Sequence, residues 1–359
     1  MEHTAREVRD LCRRALAGEE LEEPDLARLL AARDAAAEVV FAAAREARAR
    51  GSGDAVFLYG FVYFSTYCRN ECTFCFYRAH NAESPRYRKS LDEVVAICRD
   101  LAGSGVVLLD LTMGEDPVIH DDPGYAGLLE LVAAVRDDGG LPVMVSPGVV
   151  PDEVLAGLQA RGADWYALYQ ETHDPELYDR LRTSQPFAAR VAARSAARRA
   201  GLLVEDGILT GIGDTEADRA HSIATMRAAA WEQVRVMTFV PQAGTPLADV
   251  PPAGDEAELL TIATMRLAMP HALIPASLDV EGIGGLERRL NAGANVVTSI
   301  VPPTVGLAGV SQAELDIDEG QRTVAGVLPH LARLGLRPGT VAEYRAWLAA
   351  AHRRSEALP

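Results

Sequence analysis

From Ala55 onward the chain repeats one unit: a short run of β-branched and apolar residues, then a stretch with helical spacing. The pattern predicts strands near 55–64, 105–112, 142–147, 164–170, 202–210, 234–240, 272–279 and 295–301. Helical stretches near 90–103, 124–138, 151–160, 174–199, 215–230, 254–268, 283–291 and 319–334 follow them in turn. Strand–helix alternation calls for a parallel sheet, and eight such units close most readily into a ring. The expected fold class is therefore α/β, a (β/α)8 barrel of the TIM type, and such a barrel places its chemistry where strands end and loops begin.

The loop after the first strand carries the chemistry with the clearest spacing. Tyr63 to Arg78 reads YFSTYCRNECTFCFYR, so Cys68, Cys72 and Cys75 stand as Cys-x3-Cys-x2-Cys. Three thiolates on one short loop can each bind a different iron of a cubane cluster, which leaves the fourth iron without a protein ligand. Iron–sulfur clusters usually take four cysteines, and the two others here, Cys12 and Cys98, lie far off in helix-like sequence. A structural zinc site would pair two knuckles or add histidines. No second knuckle exists, and His80 sits on a polar loop. Three unrelated core cysteines are the other bland alternative.

The flanks of the barrel are helical. Residues 1–53 form an N-terminal extension in which one long amphipathic helix is expected from Asp25 to Gly51. The barrel is expected over 54–335, and 336–359 supply a C-terminal helix near 340–352, packed outside, with a tail. The charged start MEHTAREVRDLCRRAL is no signal peptide, and no apolar run reaches membrane-spanning length. A formal net charge of −16 argues against nucleic-acid or membrane partners. Five cysteines, three of them clustered, make no disulfide framework, so a reducing cytoplasm is the expected location.

Polar residues gather at the later strand ends. The second strand ends in Asp110, Thr112 and Gly114-Glu115-Asp116, the third at Ser146, and the fourth in YQETHDPELYDRL with Glu171 at its tip. The fifth ends in GIGD, where Asp214 is placed to cap the next helix. Arg235 lies between Val234 and Val236 in the sixth, and a buried arginine must be paired. It is either a fork for a substrate carboxylate or half of an internal salt bridge, for example to Asp279. Ser277 and Asp279 end the seventh strand, and Thr298 and Ser299 the eighth. Arginine for a carboxylate and Asp110 with Asp279 for ammonium groups describe an amino-acid pocket, which a diamino acid such as lysine fits best.

The cysteine loop resembles that of the radical S-adenosylmethionine (SAM) superfamily. This implies one 4Fe-4S cluster on Cys68, Cys72 and Cys75, with SAM chelating the fourth iron. Met113-Gly114-Glu115 occupies the place of that superfamily's Gly-Gly-Glu motif, with its first glycine replaced. YQETHDPELYDRLRT resembles the matching segment of biotin-synthase-like enzymes. By that resemblance Ser146, Glu171 and Arg190 engage SAM, with Arg182 as the rival for its carboxylate and a solvated face as the alternative for Arg190. GIGD is similar to the segment beside the SAM adenine. Together with FLYGFVYFSTYCRNECTFCFYR, LDLTMGEDP, VRVMTFVPQAGTP, PASLDVEGI and NAGANVVTSIVPP, these stretches look like the methylornithine synthase family of pyrrolysine biosynthesis. That likeness implies an isomerase that rearranges L-lysine to (3R)-3-methyl-D-ornithine through a 5′-deoxyadenosyl radical. It also implies binding by Asp110, Arg235, Ser277 and Asp279, and an electron donor such as flavodoxin or ferredoxin. The alternatives are a biotin-synthase-like enzyme acting on another small amino acid, and a non-catalytic metal-binding scaffold.

Overall fold

The computed structural model describes residues 5–303, 305–309 and 321–357. Within them run β1 (Ala55–Ser65), β2 (Leu108–Met113), β3 (Val143–Ser146), β4 (Trp165–Ala167), β5 (Leu203–Thr210), β6 (Gln233–Thr238), β7 (Pro275–Ser277) and β8 (Val296–Ile300). The paired strands are parallel, and helices lie between them, in the order β6-β5-β4-β3-β2-β1-β8-β7. The ring is nearly closed. At its seam β6 and β7 share no ladder, only a bridge from Gln233 to Leu273 just ahead of β7, where the Val234 amide donates to the Leu273 carbonyl at 3.0 Å. Strand residues are buried on both faces, as in a parallel sheet wrapped in helices, and the polar ones among them, such as Asp110, Glu205, Asp206 and Arg235, are buried too.

Three helical expectations change. The long N-terminal helix is two, Glu23–Leu30 and Asp34–Ser52, preceded by Ala5–Leu16. Between them Arg33 turns its guanidinium onto the Leu30 and Ala32 carbonyls at 3.1 and 2.8 Å, satisfying a helix end, and Asp34 takes φ +50°. Across the break, Leu26, Leu29 and Leu30 and the alanine face of the second helix are buried in the same core. The expected helix 174–199 is also two, Pro175–Leu181 and Phe187–Arg199. Pro186 lacks an amide hydrogen and disfavours helical backbone in the residue before it. The expected helix near 319–334 begins outside the described residues, and its described part is Val324–Arg333.

The C-terminal helix, Val341–Glu356, covers the end of the barrel where strands begin rather than its outside. A two-residue strand, β9 (Arg337–Pro338), pairs with the start of β1 and leads the chain there. Tyr344 is fully buried with its ring edge against Phe57 and Tyr59, its hydroxyl 2.8 Å from that of Tyr59. Trp347 stacks on Trp165 at 5.8 Å. With this end plugged, the strands' C-terminal ends hold the open cavity.

Candidate active site

The cysteine loop is held by its backbone rather than by any bond between sulfurs. Arg69, Thr73 and Ala79 amides donate to Glu115, Leu181 and Asn70 carbonyls at 2.8–2.9 Å, and Arg86 gathers the Thr66, Tyr77, Arg78 and Asn81 carbonyls. Asp116 anchors the β1 and β2 ends together: it accepts from Ser65 at 2.5 Å and twice from Arg88 at 2.6 Å. Gly114 packs against this loop so closely that a Cβ there would lie 2.3 Å from the Tyr67 carbonyl oxygen and 2.9 Å from the Cys68 Cβ. That approach accounts for the retained glycine of Met113-Gly114-Glu115.

Cys68, Cys72 and Cys75 carry free thiols. Burial pushes Cys68 up to about 11, and it pushes Cys75 well above the usual thiol range, helped by the neighbouring Cys72 and Cys68 charges. A nearby cation would be needed to hold Cys68 and Cys75 as thiolates, and a metal that takes them as ligands displaces their protons. Among the described residues no three His, Cys, Asp or Glu side chains are arranged to hold a single metal ion. His80 is exposed beside Glu71. Cys12 and Cys98 are buried in the core, pushed by burial to about 11 and about 12.

The second break described above brings Arg182 and Gln185 to the cysteine loop, where both donate to Cys72 Sγ at 3.4 and 3.1 Å. The other Arg182 nitrogen grips Glu171. Glu171 reaches this place because β4 ends early. Gln170 turns its amide onto the Asp206 carboxylate at 2.9 Å, and Glu171 takes φ +69° and then rejoins β5 at Ile208. Arg190 is buried, not on a solvated face. Its spacing of four from Arg194 turns both toward the barrel, and it donates to the Tyr169 carbonyl at 2.7 and 3.1 Å and to Gln185 at 2.8 Å. Burial and the nearby Arg182 charge lower its pKa to about 10.

A cavity of about 190 Å³ joins these groups. Cys72, Cys75, Ser146, Glu171, Arg182 and Arg190 line it together with Arg235 and Asp279. Asp110 and Ser277 lie fully buried, Asp110 within reach of Thr112 at 2.9 Å and Ser146 at 3.5 Å. Of the β5 end only Leu209 reaches the cavity. Asp214 bonds back to the Gly211 and Ile212 amides at 2.7 and 3.2 Å, and Thr215 caps the helix instead.

Arg235 and Asp279 do not pair with each other. Arg235 takes Glu205 at 2.8 Å and Thr298 at 3.3 Å, and its Nη2 has no partner. Asp279 accepts from Tyr63 at 2.7 Å, Ser299 at 2.8 Å, Arg322 at 3.2 Å and Ser277 at 3.5 Å. Asp110 Oδ2 is a second buried atom without a partner. Burial, then the Glu205 charge, raises the Asp110 carboxyl to about 7. Sequence reasoning missed Glu205, Gln185 and Arg322. Only Glu205 left a signal, an acidic residue beside Asp206 between the apolar runs of one strand.

A parallel barrel with a three-cysteine loop after its first strand, opening into one polar-tipped cavity, defines a radical SAM enzyme, and residues 62–226 match the model of the Radical SAM superfamily. The 3-methylornithine synthase of Methanosarcina barkeri is 44% identical over 93% of this chain and 95% of its own length. A crystal structure of methylornithine synthase superposes with TM-score 0.89 at 43% identity, covering 94% of this chain and 99% of that one. The [FeFe] hydrogenase maturase subunit HydE of Thermotoga maritima is 30% identical over 72% of this chain and 74% of its own. The chain belongs to the 3-methylornithine synthase family of radical SAM enzymes. The superfamily is one of SAM and 4Fe-4S chemistry. Among the described residues no helix is long and apolar enough to cross a membrane.

Proposed function

We propose that the protein rearranges L-lysine to (3R)-3-methyl-D-ornithine, the first step of pyrrolysine biosynthesis. The observation that carries the substrate reading is two buried polar atoms without a partner, on side chains close enough for their charges to act on each other. Arg235 Nη2 is an unused donor suited to a carboxylate, and Asp110 Oδ2 an unused acceptor suited to an ammonium. Buried polar atoms rarely stay unpaired, and an α-amino acid would satisfy both. The names of the relatives agree with this reading.

Cys68, Cys72 and Cys75 would hold one 4Fe-4S cluster beside SAM, and that cluster, when reduced, would supply the one electron that cleaves a carbon–sulfur bond of SAM into methionine and a 5′-deoxyadenosyl radical. Ser146, Glu171 and Arg190 would hold SAM, with Arg182 bracing Glu171 against the cluster loop. Arg235 takes the lysine carboxylate, Asp110 and Asp279 take ammonium groups, and Ser277 holds Asp279 through its hydroxyl. Phe61, Phe74, Leu209, Met237 and Phe239 wall the cavity and exclude water from reactive intermediates. An external donor of the flavodoxin or ferredoxin kind would reduce the cluster.

Anaerobic reconstitution with isotopically labelled lysine tests the reading. Label should appear in 3-methylornithine. Formation of 5′-deoxyadenosine without labelled product would assign the site to another small amino acid, and no SAM cleavage at all would leave a scaffold.

The Asp110 carboxyl supplies a pH prediction. As an acid raised to about 7, it is neutral below that value and charged above it. An ammonium is attracted only to the charged form, so lysine binding should tighten between about pH 6 and about pH 8. Titration calorimetry checks this, and Asp110→Asn should flatten the dependence. The same group contributes to stability in the opposite sense: its contribution is fully present below the unfolded pKa of 3.8 and is lost as pH rises through about 7.

A further inference from the structure

The geometry points to Glu205 as the residue that positions Arg235, leaving a single guanidinium nitrogen free for the substrate carboxylate. This rests on the reading of Arg235 as the carboxylate-binding group and adds to it the reason for its selectivity.

Glu205 stands on β5 with no exposed surface, and Arg235 on the neighbouring β6 is 2% exposed. One Glu205 oxygen accepts from Arg235 Nε at 2.8 Å, and the other accepts from the Tyr169 hydroxyl at 3.1 Å. Thr298 on β8 receives Arg235 Nη1 at 3.3 Å. A planar fork fixed at Nε and Nη1 can no longer rotate, so the direction of Nη2 is set as well. That nitrogen is the buried one with no partner, on a side chain that lines the cavity.

The surroundings are shaped for this arrangement. The Tyr169 and Phe61 ring centres lie 5.3 and 5.8 Å from the guanidinium carbon. Gly207 sits opposite Arg235 in the β5–β6 ladder. A Cβ there would come within 3.1 Å of the Tyr169 ring and 3.2 Å of the Arg235 Cβ, so glycine leaves the room that the Tyr169–Glu205–Arg235 chain occupies. A carboxylate needed only to neutralise Arg235 would not require the second hold from Tyr169.

The test compares L-lysine with L-lysinamide, which lacks the carboxylate, by titration calorimetry of the reconstituted, SAM-loaded protein. Glu205→Gln should weaken lysine binding by roughly tenfold or more, the scale of a lost charged hydrogen bond, and leave lysinamide binding little changed. Tyr169→Phe should shift the lysine-to-lysinamide ratio the same way by a smaller factor. A purely structural Glu205 would weaken both ligands equally, and that result, or an unchanged ratio, overturns the proposal. If Glu205→Gln does not fold, Tyr169→Phe decides alone, because it removes one hydroxyl and no charge. Arg235→Gln keeps the two failures apart. A lysine preference that survives it refutes the carboxylate reading itself, whereas a preference lost in Arg235→Gln but kept in Glu205→Gln refutes only the positioning role.

Discussion

Replacing Cys68, Cys72 or Cys75 by alanine is expected to leave a folded protein that forms no 5′-deoxyadenosine. Each thiolate is an anionic ligand to its own iron in the proposed centre, and nothing nearby substitutes for it: His80 points to Glu71 at the surface. The fold should survive because the loop is fixed through backbone bonds and Arg86, none of which involves a sulfur. Cys12→Ala and Cys98→Ala remove only a small buried group from the core and should keep the iron content and the cluster absorbance. Iron analysis and SAM-cleavage assays after anaerobic reconstitution check both halves. A folded Cys98→Ala protein that selectively lost its cluster would sink the three-ligand assignment.

The second large effect is expected at Asp279. If Asp279 bound only an ammonium group, Asp279→Asn would cost turnover and little stability. The structure adds another burden, because Arg322 is buried against this carboxylate at 3.2 Å. Neutralising Asp279 strands that guanidinium, and breaking a buried pair from one side costs about 3–5 kcal/mol. Asp279→Asn should therefore lose both stability and lysine consumption. The double variant Asp279→Asn, Arg322→Met separates the causes, since removing both charges from a buried pair is often near neutral. Stability should return in the double variant and lysine consumption should not. A double variant that again consumes lysine would reduce Asp279 to an anchor for Arg322 and leave Asp110 as the group for ammonium.

The eight strand–helix units, the cysteine spacing and the placement of polar residues at strand ends were all legible in the chain, because each is a local property. Strand and helix periods are written in neighbouring residues, and three thiols within eight positions must share a loop whatever surrounds them. Where a local stop signal competed with periodicity, the reading went astray. Pro186 broke a helix that alanine and arginine spacing extended, and Arg33 broke another by bonding the carbonyls of its own turn.

Charge pairing was not legible. Arg235 could have met Asp279, yet Glu205, thirty residues earlier, stands beside it because β5 and β6 are neighbours in register. Asp279 meets Arg322 from beyond the last barrel strand. Arg190 looked like one of several solvated arginines until its helix was laid on the barrel. Spacing along the chain determined which residue types stand at which strand ends. Which buried charge meets which was decided by the ring, since Coulomb and hydrogen-bond energies depend on distances across the barrel that only its closure sets.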